Sequence, residues 1–127
     1  MYTELYLAFG LISRTSPNVL DVLQYLFNKG PRPETLPDHR FFMCTRWDRI
    51  GTGSSHYFIP FSVSQMVYDV VQQSYFIVSL SNLKNYDSEV EHFLDFIMPY
   101  IDASPGKHIG HKRYEENDKP TLLYKVE

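Results

Sequence analysis

The sequence predicts an α+β protein, a two-layer sandwich in which two helices cover one face of a mostly antiparallel sheet. Three observations lead there. Residues 2–12, YTELYLAFGLI, alternate apolar and polar with the period of a strand. Two later segments each carry a single apolar stripe at helical spacing, so each buries one side only, and one sheet face can take both. Extended segments follow each helix in pairs. The order is therefore β-α-β-β, a connecting element, and β-α-β-β again, without obvious sequence identity between the halves.

In the first strand Leu5, Leu7, Phe9 and Leu11 fall on one side, and Tyr2, Glu4, Tyr6 and Ala8 on the other. The first helix has both ends marked: Ser16 as cap, Pro17 at its first position and Gly30 after its last turn. Its stripe is Val19, Leu20, Leu23, Leu26 and Phe27. The three prolines of GPRPETLPDH (30–39) make that stretch a loop. RFFMCTRW (40–47) and HYFIPF (56–61) read as a hairpin across the glycine- and serine-rich DRIGTGSS.

SVSQMVYDVVQQ (62–73) fits two periods. Val63, Met66, Val67, Val70 and Val71 satisfy helical spacing, but Val and Tyr favour strands and no helix stop precedes Ser74. It is read as a strand paired with SYFIVSLSNL (74–83), with a helix as the alternative. The second helix is capped by Asn85 or Asp87. Its stripe is Val90, Phe93, Leu94, Ile97, Met98 and Ile101, and Pro99 kinks or ends it. The chain closes with strand KHIGHKRYE, turn ENDKP and strand TLLYKV.

At 127 residues the chain has the length of one domain, 1–127, able to bury a core without metal or disulfide. A net charge of −3 and no basic run longer than Lys112-Arg113 argue against a nucleic-acid partner. Cys44 is the only cysteine, which excludes an internal disulfide, and its place in FFMC suits a small core residue better than a nucleophile. MYTELYLAFG lacks a basic leader and carries Glu4, and no apolar run approaches the ~20 residues of a membrane span. A cytoplasmic protein is expected.

Aromatic residues are plentiful, with ten tyrosines, nine phenylalanines and one tryptophan. The sheet face away from the helices collects Tyr2 and Tyr6, and Arg46, Tyr57, Tyr75 and Tyr114 join it if the register allows. Such a half-polar aromatic face is either an interaction site or a tolerated surface. RWDR (46–49) offers Arg46 and Trp47 as an anion or partner anchor, or else Trp47 as a lid on the core. His108 and His111 are three apart on a strand and so point to opposite faces, which argues against a metal site. The same parity separates Glu115 from Glu116. No Ser or Cys nucleophile sits beside a local base, and neither catalytic residue nor cofactor is expected.

The run SNLKNYDSEVEHFLDFIMPYI (81–101), followed by GHKRYEENDKPTLLY (110–124), resembles a group of small uncharacterised bacterial and phage-associated proteins. The shared features are a Lys-Asn-Tyr-Asp helix start, a Phe-Leu…Pro-Tyr helix end and a Tyr-Glu-Glu…Pro-Thr hairpin. The resemblance implies a bacterial, cytosolic origin and carries no activity. The functional expectation is a non-enzymatic binding domain of immunity or accessory type, acting through the tyrosine-rich face and forming a homodimer. The alternative is a small metal-dependent enzyme or ligand-binding domain, because repeated β-α-β-β units resemble glyoxalase-type folds. His56, His108 and Glu115 would then be the ligands.

Overall fold

The computed structural model describes residues 2–53 and 63–126. Strand β1 (Thr3–Gly10) runs through the middle of the sheet, and its alternation is complete: Thr3, Leu5, Leu7 and Phe9 are buried while every second residue is half-exposed. After it come helix α1 (Pro17–Asn28) and two short 3₁₀ turns, Arg40–Met43 and Trp47–Arg49. Strands β2 (Val63–Asp69) and β3 (Ser74–Leu83) follow, then helix α2 (Glu89–Ile97) with a 3₁₀ turn at Met98–Tyr100, then β4 (His108–Tyr114) and β5 (Thr121–Tyr124).

Among the described residues five strands lie in the order β2-β3-β1-β4-β5, every neighbouring pair antiparallel. Counting β3 in both, the order β-α-β-β runs as β1-α1-β2-β3 and as β3-α2-β4-β5. Among the described residues the two separate units expected from the sequence therefore overlap, and β2 falls in the segment expected to connect them. Placing β1 between β3 and β4 gives the split β-α-β arrangement of ferredoxin-like sandwiches, here extended by β5. The ambiguous segment 62–73 contains a strand: β2 pairs with β3 from Val63↔Leu80 to Asp69↔Ser74. The Asp69 carboxylate accepts the amides of Val71 (2.9 Å) and Gln72 (3.2 Å), which closes the tight turn between them.

Register assigns the faces. Leu5↔Ser81, Leu7↔Ser79 and Phe9↔Ile77 point toward the helices, and Met66 opposite Ile77 continues that side. From α1, Val19, Val22, Leu23, Leu26 and Phe27 close over it, and from α2, Val90, Phe93, Phe96 and Ile97. The two helices meet where the Phe27 and Phe93 rings contact edge-on at 5.9 Å. No helix among the described residues is long and apolar enough to cross a membrane.

The helix ends are built differently from the expected caps. Ser16 makes no side-chain capping bond, and the left-handed residue closing α1 is Lys29 (φ 55°), one position before Gly30. At α2 the cap position is Ser88, left-handed (φ 57°) and without a side-chain capping bond, while Asn85 Oδ1 accepts the Val90 amide of the first turn at 2.9 Å. The 3₁₀ turn containing Pro99 ends the helix.

One element is corrected. Residues 40–47 form no strand. A strand would put Phe41, Met43 and Trp47 on one side, yet Phe41 is fully buried while Met43 is 84% exposed. The buried set is Phe41, Cys44, Trp47 and Ile50, a spacing of three that matches successive 3₁₀ turns. His39 opens the first turn by accepting the Phe41 amide on Nδ1 at 3.0 Å. The segment plugs the sandwich with aromatic rings: Phe41 contacts Phe93 at 5.4 Å and Phe96 at 5.9 Å. The expected partner strand, 56–61, lies outside the described residues.

Candidate functional site

Among the described residues, none covers the sheet face opposite the helices. On β2 and β3 it presents Val63, Val67, Phe76 and Val78, which are 51%, 56%, 45% and 39% exposed, with half-buried Leu80 beside them. Register makes them one patch, since Val67 is paired with Phe76 and Val63 with Leu80. Among the described residues no charged side chain lies between them; Gln65, opposite Val78, is the polar member, and Asp69 bounds the patch where β2 turns into β3. β1 continues the face with Ala8 and Tyr6. β5 adds exposed Leu122 and Tyr124 at the far edge.

Between these apolar flanks lies a charged strip. Glu4 Oε1 is 3.1 Å from His111 Nε2, and Glu4 Oε2 is 3.8 Å from Arg113 Nη2. The His111 ring also packs on Tyr6 with centroids 5.4 Å apart. His111 is thus tied down by two neighbours, and the carboxylate of Glu4 is shared by two cationic or cation-forming groups.

The structure separates the described members of the expected binding set into four places. Tyr6 sits on the uncovered face. Tyr2 and Arg46 line a small pocket at the end of β3, with Arg49 and Lys84. Trp47 is only 4% exposed and sits in the core, its ring 5.1 Å from Phe42 and 5.9 Å from Tyr25. It is therefore the lid of the two expected readings, with the Arg32 guanidinium 5.0 Å above its ring. Tyr75 is opposite Tyr68 and shares the helix side with Ile77, and Tyr114 is opposite buried Thr3 on that same side. Neither belongs to the uncovered face. Tyr57 lies outside the described residues. The exposed apolar area is thus mainly valine and phenylalanine, a pattern visible beforehand as Val63, Gln65, Val67 alternating against Phe76, Val78, Leu80.

The parity argument for His108 and His111 also needs correcting. A bulge between His108 and Gly110 inserts one extra residue, so His108 pairs with Tyr124 and His111 with Leu122, both on the outer face. The two histidines therefore share a face, each with its own ring partner, Tyr124 for His108 and Tyr6 for His111. Glu115 accepts the Tyr2 amide on Oε1 at 2.7 Å. Among the described residues, no three His, Cys, Asp or Glu side chains gather in a way that could hold a metal ion. His56 lies outside them.

Cys44 is buried, with its Sγ 3.6 Å from the Asp87 carbonyl oxygen. Burial pushes its thiol pKa above the ordinary value, and the nearby Glu89 and Asp87 carboxylates add to the shift. A raised pKa leaves less thiolate at any given pH, and thiolate is the reactive form. Ellman's reagent at neutral pH is accordingly expected to label the native chain more slowly than the urea-unfolded chain. Equal rates would place Cys44 at the surface.

No family model matches the chain, and neither a curated protein nor a solved structure is significantly similar to it.

Proposed function

We propose that the protein is a non-enzymatic interaction domain whose uncovered sheet face binds a second copy of the chain. The observation that carries this reading is the charge-free patch of Val63, Val67, Phe76 and Val78 on β2 and β3. Contiguous exposed apolar surface of this kind marks association sites in proteins that otherwise keep such residues inside. A patch without charges is complementary to itself, and twofold contacts between identical patches are the commonest assembly. In a face-to-face dimer centred on β2 and β3, the Glu4, His111 and Arg113 strip on β1 and β4 lies to one side of the contact's centre, where polar groups stay wet. Tyr6 stands between patch and strip, with a ring to bury and a hydroxyl to keep bonded. A bacterial, cytosolic setting belongs to the same proposal and rests on the resemblance of residues 81–101 and 110–124, whereas the accessory or immunity role rests on the exposed patch, since that resemblance carries no activity.

Sedimentation velocity at micromolar concentration tests the reading. The wild type is expected to sediment at twice its 15.0 kDa chain mass. Val67→Asp and Phe76→Asp, both at exposed positions, are expected to return it to monomer with an unchanged circular dichroism spectrum. Tyr6→Asp should weaken the dimer less, because Tyr6 sits at the patch margin. A strictly monomeric wild type removes self-association. A dimer indifferent to Val67→Asp and Phe76→Asp keeps association but moves it off this face.

A further inference from the structure

The pocket at the end of β3 is separate from the sheet patch and has a different chemistry. Its volume is about 320 Å³, and its described lining includes Tyr2, Arg46, Arg49, Asn82 and Lys84. That is the lower end of the size range for small-molecule sites. Three cations converge there, and no Asp or Glu is among the described lining residues, although the chain as a whole carries a net charge of −3. Neither arginine nor the lysine is ion-paired to a carboxylate among the described residues. The nearby acids are engaged elsewhere: Asp48 holds Arg32 at 3.2 Å, Glu4 holds His111 and Arg113, and Glu115 takes the Tyr2 amide.

The local fold explains how the cations come together. In a 3₁₀ turn, side chains three apart lie over one another, so Arg46 and Arg49 project on the same side. The turn is closed by the Arg49 amide donating to the Arg46 carbonyl at 3.0 Å. Between them, Trp47 points inward and is buried, which fixes the outward direction of its neighbours. The Arg49 carbonyl then accepts the amides of Thr52 (3.2 Å) and Gly53 (2.9 Å), and the Gly53 carbonyl accepts the Asn82 amide at 3.0 Å. A Cβ at position 53 would overlap the Asn82 carbonyl oxygen, so glycine is what lets the turn lie against the end of β3. Two residues past Asn82, Lys84 closes the other side, its Nζ 5.6 Å from the centre of the Tyr2 ring.

We propose that this pocket binds a small phosphate-bearing ligand, a phosphomonoester or diphosphate. Two guanidinium groups offer paired donors that match phosphate oxygens, and the ammonium adds a point charge. Three positive groups favour a dianion or trianion over a monocarboxylate by simple charge balance. This site stands whether or not the sheet face self-associates, and the tests read different things.

Inorganic pyrophosphate is the probe, titrated by calorimetry into the full chain at roughly physiological ionic strength, where unspecific surface pairing is screened. One site per chain is expected, with phosphate binding more weakly and acetate not at all. The double variant Arg46→Ala with Arg49→Ala is expected to weaken pyrophosphate at least about tenfold, the usual scale for losing charged hydrogen bonds. Lys84→Met should weaken it less, and Lys119→Ala, a cation outside this pocket, should not change it. All four positions are exposed or half-exposed, so the variants are expected to fold, and their melting temperatures without ligand check this. Absence of heat up to about 10 mM pyrophosphate, ten times a Kd of about 1 mM, overturns the proposal. Binding that survives the double arginine variant, or that Lys119→Ala weakens equally, overturns it as well.

Discussion

Phe93→Ala is expected to lower the free energy of unfolding by about 3 to 5 kcal/mol, the usual cost of deleting a fully buried aromatic ring. Phe93 has no exposed surface and sits where three parts of the chain meet. Its ring contacts Phe27 of α1 at 5.9 Å, Phe41 of the first 3₁₀ turn at 5.4 Å, and Phe96 one turn along α2 at 6.5 Å. The hole left by alanine has no easy way to collapse, because its walls are themselves rings held by other rings. Phe41 is already committed to Trp47 and Phe42, and Phe42 to Phe96. Phe93→Leu, which refills most of the volume, should cost less than half as much, within the range of about 1 to 2 kcal/mol for an imperfect core swap. Urea unfolding followed by fluorescence measures both, and the neighbouring Trp47 reports on the same cluster. A cost for Phe93→Ala below about 1 kcal/mol would mean that this side of α2 faces water.

Most of the sheet and both helices were legible because their residues obey one period each. β1 alternates without a break, and on α2 Val90, Phe93 and Ile97 are buried as the stripe has it, while Leu94 is half-buried and Phe96, outside the stripe, is in the core. The segment 40–47 failed for a definite reason. Two adjacent phenylalanines and a tryptophan raise strand propensity, yet propensity is weaker than packing. The spacing Phe41, Cys44, Trp47, Ile50 was present, and a repeat of three fits neither strand nor α-helix. It describes 3₁₀ turns, which a search for periods of two and 3.6 passes over.

The candidate sites were legible in part, and for related reasons. Tyr6 was placed on the correct face by alternation alone. Tyr75 and Tyr114 were not, because a face assignment carries from one strand to the next only through register, and register depends on pairings that single-strand patterns leave open. The β4 bulge shows how little it takes: one extra residue at Ile109 brings His108 and His111 to the same side. The pocket was hidden more deeply. Arg46 and Arg49 stand at the two ends of RWDR, but Lys84 and Tyr2 join them through the close approach of Gly53 to Asn82, a contact across 29 positions of sequence with no local signature.

That same dependence on close backbone approach makes Gly110 the other position of large effect. Gly110→Ala is expected to cost about 3 kcal/mol, the upper end of ordinary overpacking penalties. Gly110 is opposite Leu7 in the β1–β4 ladder, at the residue following the bulge. A Cβ there would overlap the Tyr6 carbonyl oxygen and come within 3.1 Å of the Leu7 Cα. Both atoms belong to the central strand, which β3 holds in register from its other side along its whole length, so β1 cannot step aside. β4 would have to move instead, loosening Ile109 from the core and β5 with it. Gly106→Ala provides the comparison. Its φ of +90° disfavours a side chain, yet nothing lies within 4 Å of the added Cβ, so only the left-handed cost of about 1 to 2 kcal/mol applies. Urea denaturation of both variants separates the steric contribution from the conformational one. If Gly110→Ala costs no more than Gly106→Ala, then β4 does not press against the Tyr6 carbonyl, and the pairing that puts His111 beside Glu4 and Tyr6 must be redrawn.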